Sequence, residues 1–135
     1  MISLNNAKLI NQVTQALLVQ MPQLWYQEKQ HLRCFAERWT SAQVQGYAES
    51  ILTYQIQAQA FAKFQVQIHL NASGLIWLQV QAEHQTVRTT VLDYRQVSEM
   101  DQLRYDDNEV QDCVQDVLQA LAGILKTFTL EERMS

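Results

Sequence analysis

Between positions 64 and 94 the chain alternates apolar and amide side chains, as in Val66-Gln67-Ile68 and Leu78-Gln79-Val80-Gln81. A period of two is the signature of a strand with one buried face and one open face. Glutamine donates and accepts hydrogen bonds without charge. The open face is therefore polar while carrying little electrostatic signature. This pattern says much about fold and little about chemistry.

Register follows from the same stretch, because a slip of one residue would turn every side chain to the opposite face. Asn71-Ala72-Ser73-Gly74 is the strong turn signal. Pairing Leu70 with Ile76, Ile68 with Leu78 and Val66 with Val80 places all six aliphatic residues on one side. It leaves a three-residue loop, Ala72-Ser73-Gly74, with Gly74 at the position that favours a left-handed backbone. The next reversal falls around Glu83 to Thr86. A two- or four-residue loop there puts Val87, Thr89 and Val91 on the inner face. Arg88, Thr90, Leu92 and Tyr94 then point outward. The expected sheet is an antiparallel β-meander of at least three strands, over about 64–71, 75–83 and 86–94.

Helical spacing flanks this sheet. Leu9, Ile10, Val13, Ala16, Leu17 and Gln20 approximate one stripe and predict a helix over 5–21. Pro22 interrupts it and suits the first turn of a second helix. That helix would carry Trp25, Leu32, Phe35, Ala36 and Trp39 on one side. Thr40 with Gln43 reads as a capping box opening a third helix, through Val44, Tyr47, Ala48, Ile51, Tyr54, Ala58 and Phe61. Leu52, Tyr54, Ile56, Ala58, Ala60 and Ala62 also alternate with period two, so a strand beginning near Thr53 competes with it. The helix is preferred because Ala60-Phe61-Ala62-Lys63 lacks turn chemistry and Ala, Gln and Lys favour helix.

At the other end, Asp106 or Asp107 caps a final helix over about 107–127. Its stripe is Val110, Cys113, Val114, Val117, Leu121, Ile124, Leu125 and Phe128. Gly123 within it costs about 1 kcal/mol against Ala, which points to close packing there. The expected fold is α+β: N-terminal helices, the meander, and a long C-terminal helix. At 135 residues and 47% hydrophobic content, one domain with its own core is the natural reading.

Composition narrows the function classes. The formal net charge is -4, and the ten Lys and Arg residues are dispersed. Nucleic-acid binding relies on clustered basic groups and is disfavoured. No stretch reaches the ~20 apolar residues of a membrane span, and no signal peptide is recognisable, so a cytoplasmic location is expected. Cys34 and Cys113 are too few for a disulfide framework. No cofactor is implied. His31 and Cys34 have helical-neighbour spacing, but no second pair completes a metal site. The acidic run Asp101, Asp106, Asp107, Glu109, Asp112 and Asp116 lacks the order of a calcium loop; it reads as a helix cap and a solvated face. With three glycines, a phosphate-cradling loop is not available, and neither a nucleophile elbow nor a Cys–His motif is present.

Carried outward, the register sets Gln65, Gln67, His69 and Asn71 opposite Gln81, Gln79, Trp77 and Leu75. One end of the outer face is amide-rich. The other gathers Leu75, Trp77, Leu92 and Tyr94 around His69, with Arg88 beside them. These six, His69, Leu75, Trp77, Arg88, Leu92 and Tyr94, are the candidate partner-contact residues. Either a further element covers them as a small second core, or they form an exposed patch of the kind proteins dock on.

The order of helix, antiparallel sheet and helix in a small acidic chain is similar to secretion chaperones and toxin-immunity proteins. The analogy is one of architecture and rests on no motif. The leading expectation is a non-catalytic protein-interaction protein of chaperone, adaptor, immunity or regulatory type, acting through a sheet face on a protein partner or as a homodimer. The alternatives are a small-molecule-binding protein or enzyme with a pocket between sheet and helices, and a structural subunit of a larger assembly.

Overall fold

The computed structural model describes residues 4–27, 32–57, 63–83, 85–93 and 107–134. The order of elements is α1 (Leu4–Gln27), β1 (Arg33–Val44), β2 (Tyr47–Gln57), β3 (Lys63–Asn71), β4 (Leu75–Gln81), β5 (Thr86–Asp93) and α2 (Asp107–Met134). The five strands form one antiparallel sheet in the order β1-β2-β3-β4-β5, a meander between two helices. The architecture is α+β, as the patterning predicts.

The central hairpin follows the expected register. Leu70 pairs with Ile76, Ile68 with Leu78 and Val66 with Val80. Gly74 takes φ 104° and donates to the Asn71 carbonyl at 3.0 Å, closing the turn. All six of those aliphatic side chains are buried. Leu52, Tyr54 and Ile56 extend the same face onto β2.

Both helices cover this inner face. Leu9, Val13, Leu17 and Met21 on α1 join Val114, Val117, Leu121 and Leu125 on α2 and the inner strand residues in one continuous core. α1 packs against β1 and β3, and α2 against β4 and β5. The predicted break at Pro22 does not occur, because α1 runs through it to Gln27. Pro22 is exposed, and Met21 and Leu24 pack on the core on either side of it. An interior proline costs about 3 kcal/mol through a lost hydrogen bond and a ring clash. Apolar burial of the flanking turns, at roughly 25 cal/mol per Å², offsets that cost.

The helices expected over positions 22–39 and 40–62 are corrected: beyond Gln27 the described chain is β1 and β2. The reversal between them is Gln45-Gly46, with φ 54° and 83°. Positive φ at both positions is a type I′ turn, whose twist matches that of its strands. β-branched and aromatic residues on both sides, Trp39, Thr40, Val44, Tyr47, Ile51 and Thr53, suit a pleated surface. The period-two alternation of 52–57 was the correct signal, and the strand starts at Tyr47 rather than near Thr53. Positions 58–62 lie outside the described residues.

Gly123 is also corrected. It is exposed on α2, and an added Cβ would meet nothing within 4 Å. Among the described residues, no helix is long and apolar enough to cross a membrane.

Candidate functional site

The outer face opposite the helices carries the candidate residues. Antiparallel pairing sets His69 on β3 directly across from Trp77 on β4. Their rings stack with centroids 3.7 Å apart and planes 10° from parallel. On the far side the guanidinium carbon of Arg88 lies 5.8 Å from the Trp77 ring centroid, and Arg88 Nε donates to Gln79 Oε1 at 2.7 Å. A cation over an indole at an exposed site contributes about 0.5–1 kcal/mol.

Beside His69, on β2, sits a residue that sequence patterning placed on a helix. Glu49 on β2 is 5% exposed, although it belongs to the outer face. Its Oε1 lies 2.7 Å from His69 Nδ1, and its Oε2 accepts from Asn71 Nδ2 at 2.9 Å. Asn71 Oδ1 in turn accepts from the Ser73 amide at 2.9 Å. One carboxylate thus ties β2, β3 and the β3–β4 turn together. A buried charge is tolerable only with such partners. His69 Nε2 lies 3.3 Å from Gln67 Oε1. A half-turn of that amide would present its NH2 to the ring instead, so the imidazole is satisfied as acceptor or donor.

The remaining candidates separate. Leu75 is half-buried at the end of β4, paired with Asn71. Leu92 is corrected. A bulge in β5 at Val91 shifts the register, so that Thr90 pairs with Trp77 and Leu92 with Ile76. Leu92 therefore packs on the helix-covered core rather than beside Trp77. A bulge inserts one residue and reverses the facing beyond it. Tyr94 and His31 lie outside the described residues. The described members of the set differ in exposure: His69 is buried, Trp77, Leu75 and Leu92 are half-buried, and Arg88 is exposed.

The exposed apolar side chains lie elsewhere. Phe35 and Trp39, 48% and 46% exposed, stand on β1, with Val44 near its turn. A bulge sets Phe35 between Cys34, which pairs with Ile56, and Ala36, which pairs with Gln55. The Lys63 amine lies 5.9 Å from the Phe35 ring centroid. Every residue of β1 except Cys34 and Thr40 is exposed, so the strand is open on both faces. Sequence reading missed this element because its spacing also fits a helix; the aromatic and β-branched residues flanking Gln45-Gly46 were the available signal.

Three thiol and phenol groups are perturbed. Burial raises the Cys34 thiol, and burial pushes Cys113 up to about 11. Burial, with the nearby Glu37 and Cys34 charges, holds Tyr54 well above the usual phenol range. A raised thiol is a poor nucleophile at neutral pH. Open clefts of about 590 and 560 Å³ flank β1, one lined by Pro22 and Leu32 to Glu37, the other by Arg38, Thr53, Gln55 and Gln67. Among the described residues, no group of three His, Cys, Asp or Glu side chains could hold a metal ion. No protein-family model, curated protein or solved structure matches the chain.

Proposed function

We propose that this chain is a small non-catalytic protein-interaction protein, of chaperone, adaptor, immunity or regulatory type, whose contact element is the β1 edge of its sheet. The observation that carries this reading is the exposure of β1. A strand of 12 residues, with a sheet neighbour on one side only among the described residues, presents Phe35, Trp39 and Val44 to solvent. Long open edges with apolar side chains are sites for pairing with another chain. Backbone hydrogen bonds there give affinity, and pockets for alternate side chains give specificity.

The Glu49–His69–Trp77 arrangement supports this role without being the contact itself. It is a satisfied polar network, and such networks stiffen a surface. A rigid sheet presents its edge with little ordering cost on binding.

The test is the double variant Phe35→Ser/Trp39→Ser, compared with Trp77→Ala on the outer face. The β1 variant should keep cooperative unfolding and lose partner association by at least tenfold, while Trp77→Ala should alter association less. Loss of association with Trp77→Ala alone would return the contact site to the sheet face.

A further inference from the structure

We infer that the occupant of the β1 edge is β1 of a second copy, paired antiparallel about a two-fold axis through Thr40. This rests on the contact reading above and names its partner.

The hydrogen-bonding phase of β1 follows from its turn. In a two-residue type I′ hairpin the flanking residues, here Val44 and Tyr47, exchange both backbone hydrogen bonds. Bonded and non-bonded pairs then alternate along an antiparallel ladder. Ala42 with Glu49, Thr40 with Ile51 and Arg38 with Thr53 are therefore bonded to β2. Glu37, Trp39, Ser41 and Gln43 belong to the intervening pairs, and their N–H and C=O groups point away from the sheet.

The run that can pair is bounded by the bulge at Phe35 and the turn at Gln45. It extends from Ala36 to Val44, and its midpoint is Thr40. A two-fold axis there is the register that uses the whole run. It sets Trp39 against Ser41 of the second copy and Glu37 against Gln43 of the second copy, so all four outward residues bond in matched pairs. Axes at Glu37 or Arg38 would oppose like charges, which destabilises a cross-strand pair. The Thr40 axis sets Arg38 against Ala42 and Thr40 against Thr40, a favourable cross-strand pair. The two Trp39 rings become diagonal neighbours on the helix side, within reach of one another. Isologous contact of this kind closes at two copies.

Sedimentation across a concentration series measures the assembly, and cysteine cross-linking reads its register. In a Cys34→Ser background, Thr40→Cys should form an intermolecular disulfide under mild oxidation, because that position meets itself across a non-bonded pair within disulfide range. Arg38→Cys, offset from its own copy by four positions, should not. Ser41→Pro removes one outward N–H, which an edge strand tolerates, and should shift the sedimenting species from dimer to folded monomer. A wild-type monomer at every concentration, without Thr40→Cys cross-linking, overturns the second-copy proposal. Saturable binding by that monomer of an extended peptide, lost in Ser41→Pro, would then preserve the contact reading alone. A dimer that survives Ser41→Pro and resists the Thr40→Cys cross-link overturns both.

Discussion

Among the described residues β1 and β5 each have a strand neighbour on one side only, yet they meet solvent differently. β5 is short, bends at the Val91 bulge, and turns Val87, Val91 and Leu92 into the core that α2 covers. Its outward residues are Thr86, Arg88, Thr90 and Asp93, all polar. β1 is longer, holds nine residues of regular pairing from Ala36 to Val44 beyond its bulge, and shows Trp39 about half exposed on the helix side. Bulges, polar side chains and covering helices are the ordinary means of protecting an edge. β1 has a bulge at Phe35 and polar residues among its side chains as well, but its apolar Phe35 and Trp39 are about half exposed, where the apolar residues of β5 pack on the core.

Substitutions at equivalent places on the two edges should separate most clearly. Leu92→Gln sets a polar amide against the core and should lower unfolding free energy by about 2 kcal/mol. Trp39→Gln should change monomer stability by about 0.5 kcal/mol or less. Urea denaturation at a concentration too low for association checks both. A Trp39→Gln monomer as destabilised as Leu92→Gln would mean that β1 is not an open edge.

Glu49→Ala asks whether the interior of the outer face is as firm as its network implies. It leaves His69 Nδ1 and Asn71 Nδ2 without their acceptor, each buried, and should cost about 1–3 kcal/mol. Glu49→Gln, which keeps one acceptor, should cost less. Equal stability of all three proteins would remove the network from the stabilising terms.

The two cysteines sharpen the comparison through pH. Cys113 ionises near 9 when unfolded and at about 11 in the fold, because burial penalises the thiolate. Between those values the unfolded chain binds fewer protons, so stability falls as pH rises. Its contribution is intact below 9 and lost through about 11. Thermal unfolding should show this decline, and Cys113→Ala should flatten it. In the native protein at pH 8, half-exposed Cys34 should alkylate well before buried Cys113.

Two further substitutions should stabilise the fold. Gly123→Ala meets open space on a helix and should add about 0.5–1 kcal/mol. Gln45→Asn, better suited to positive φ in a type I′ turn, should add a few tenths at most.

The central hairpin and α2 were readable because each has one periodicity. Leu70, Ile68 and Val66 alternate against a Gly-containing turn, and Cys113 to Leu125 keep a helical stripe. β1 was obscured because its spacing also fits a helix, and β2 because Tyr54 and Ala58 belong to both periods; the deciding fact, pairing of β2 with β3, is not local. Pro22 misled for a related reason: local geometry argues for a break, while burial of Met21 and Leu24 favours continuation. The site was half legible. His69 opposite Trp77 follows from register alone, but the Val91 bulge leaves no mark in the alternation and carried Leu92 to the wrong face. Glu49 could be found only after β2 was known to be a strand.

The meander has a kinetic side. Each strand pairs with the one next to it in the chain, so the ladder assembles by closing connections that are short in sequence, at low entropic cost. The packing of α1 on α2 joins elements far apart in sequence and is the long closure. A sheet that forms before its covering helices dock would expose Ile68, Leu78 and Val80 for a time. A chain whose α2 has not yet docked would therefore be the aggregation-prone species, and shielding would matter most for the sheet face that α2 covers.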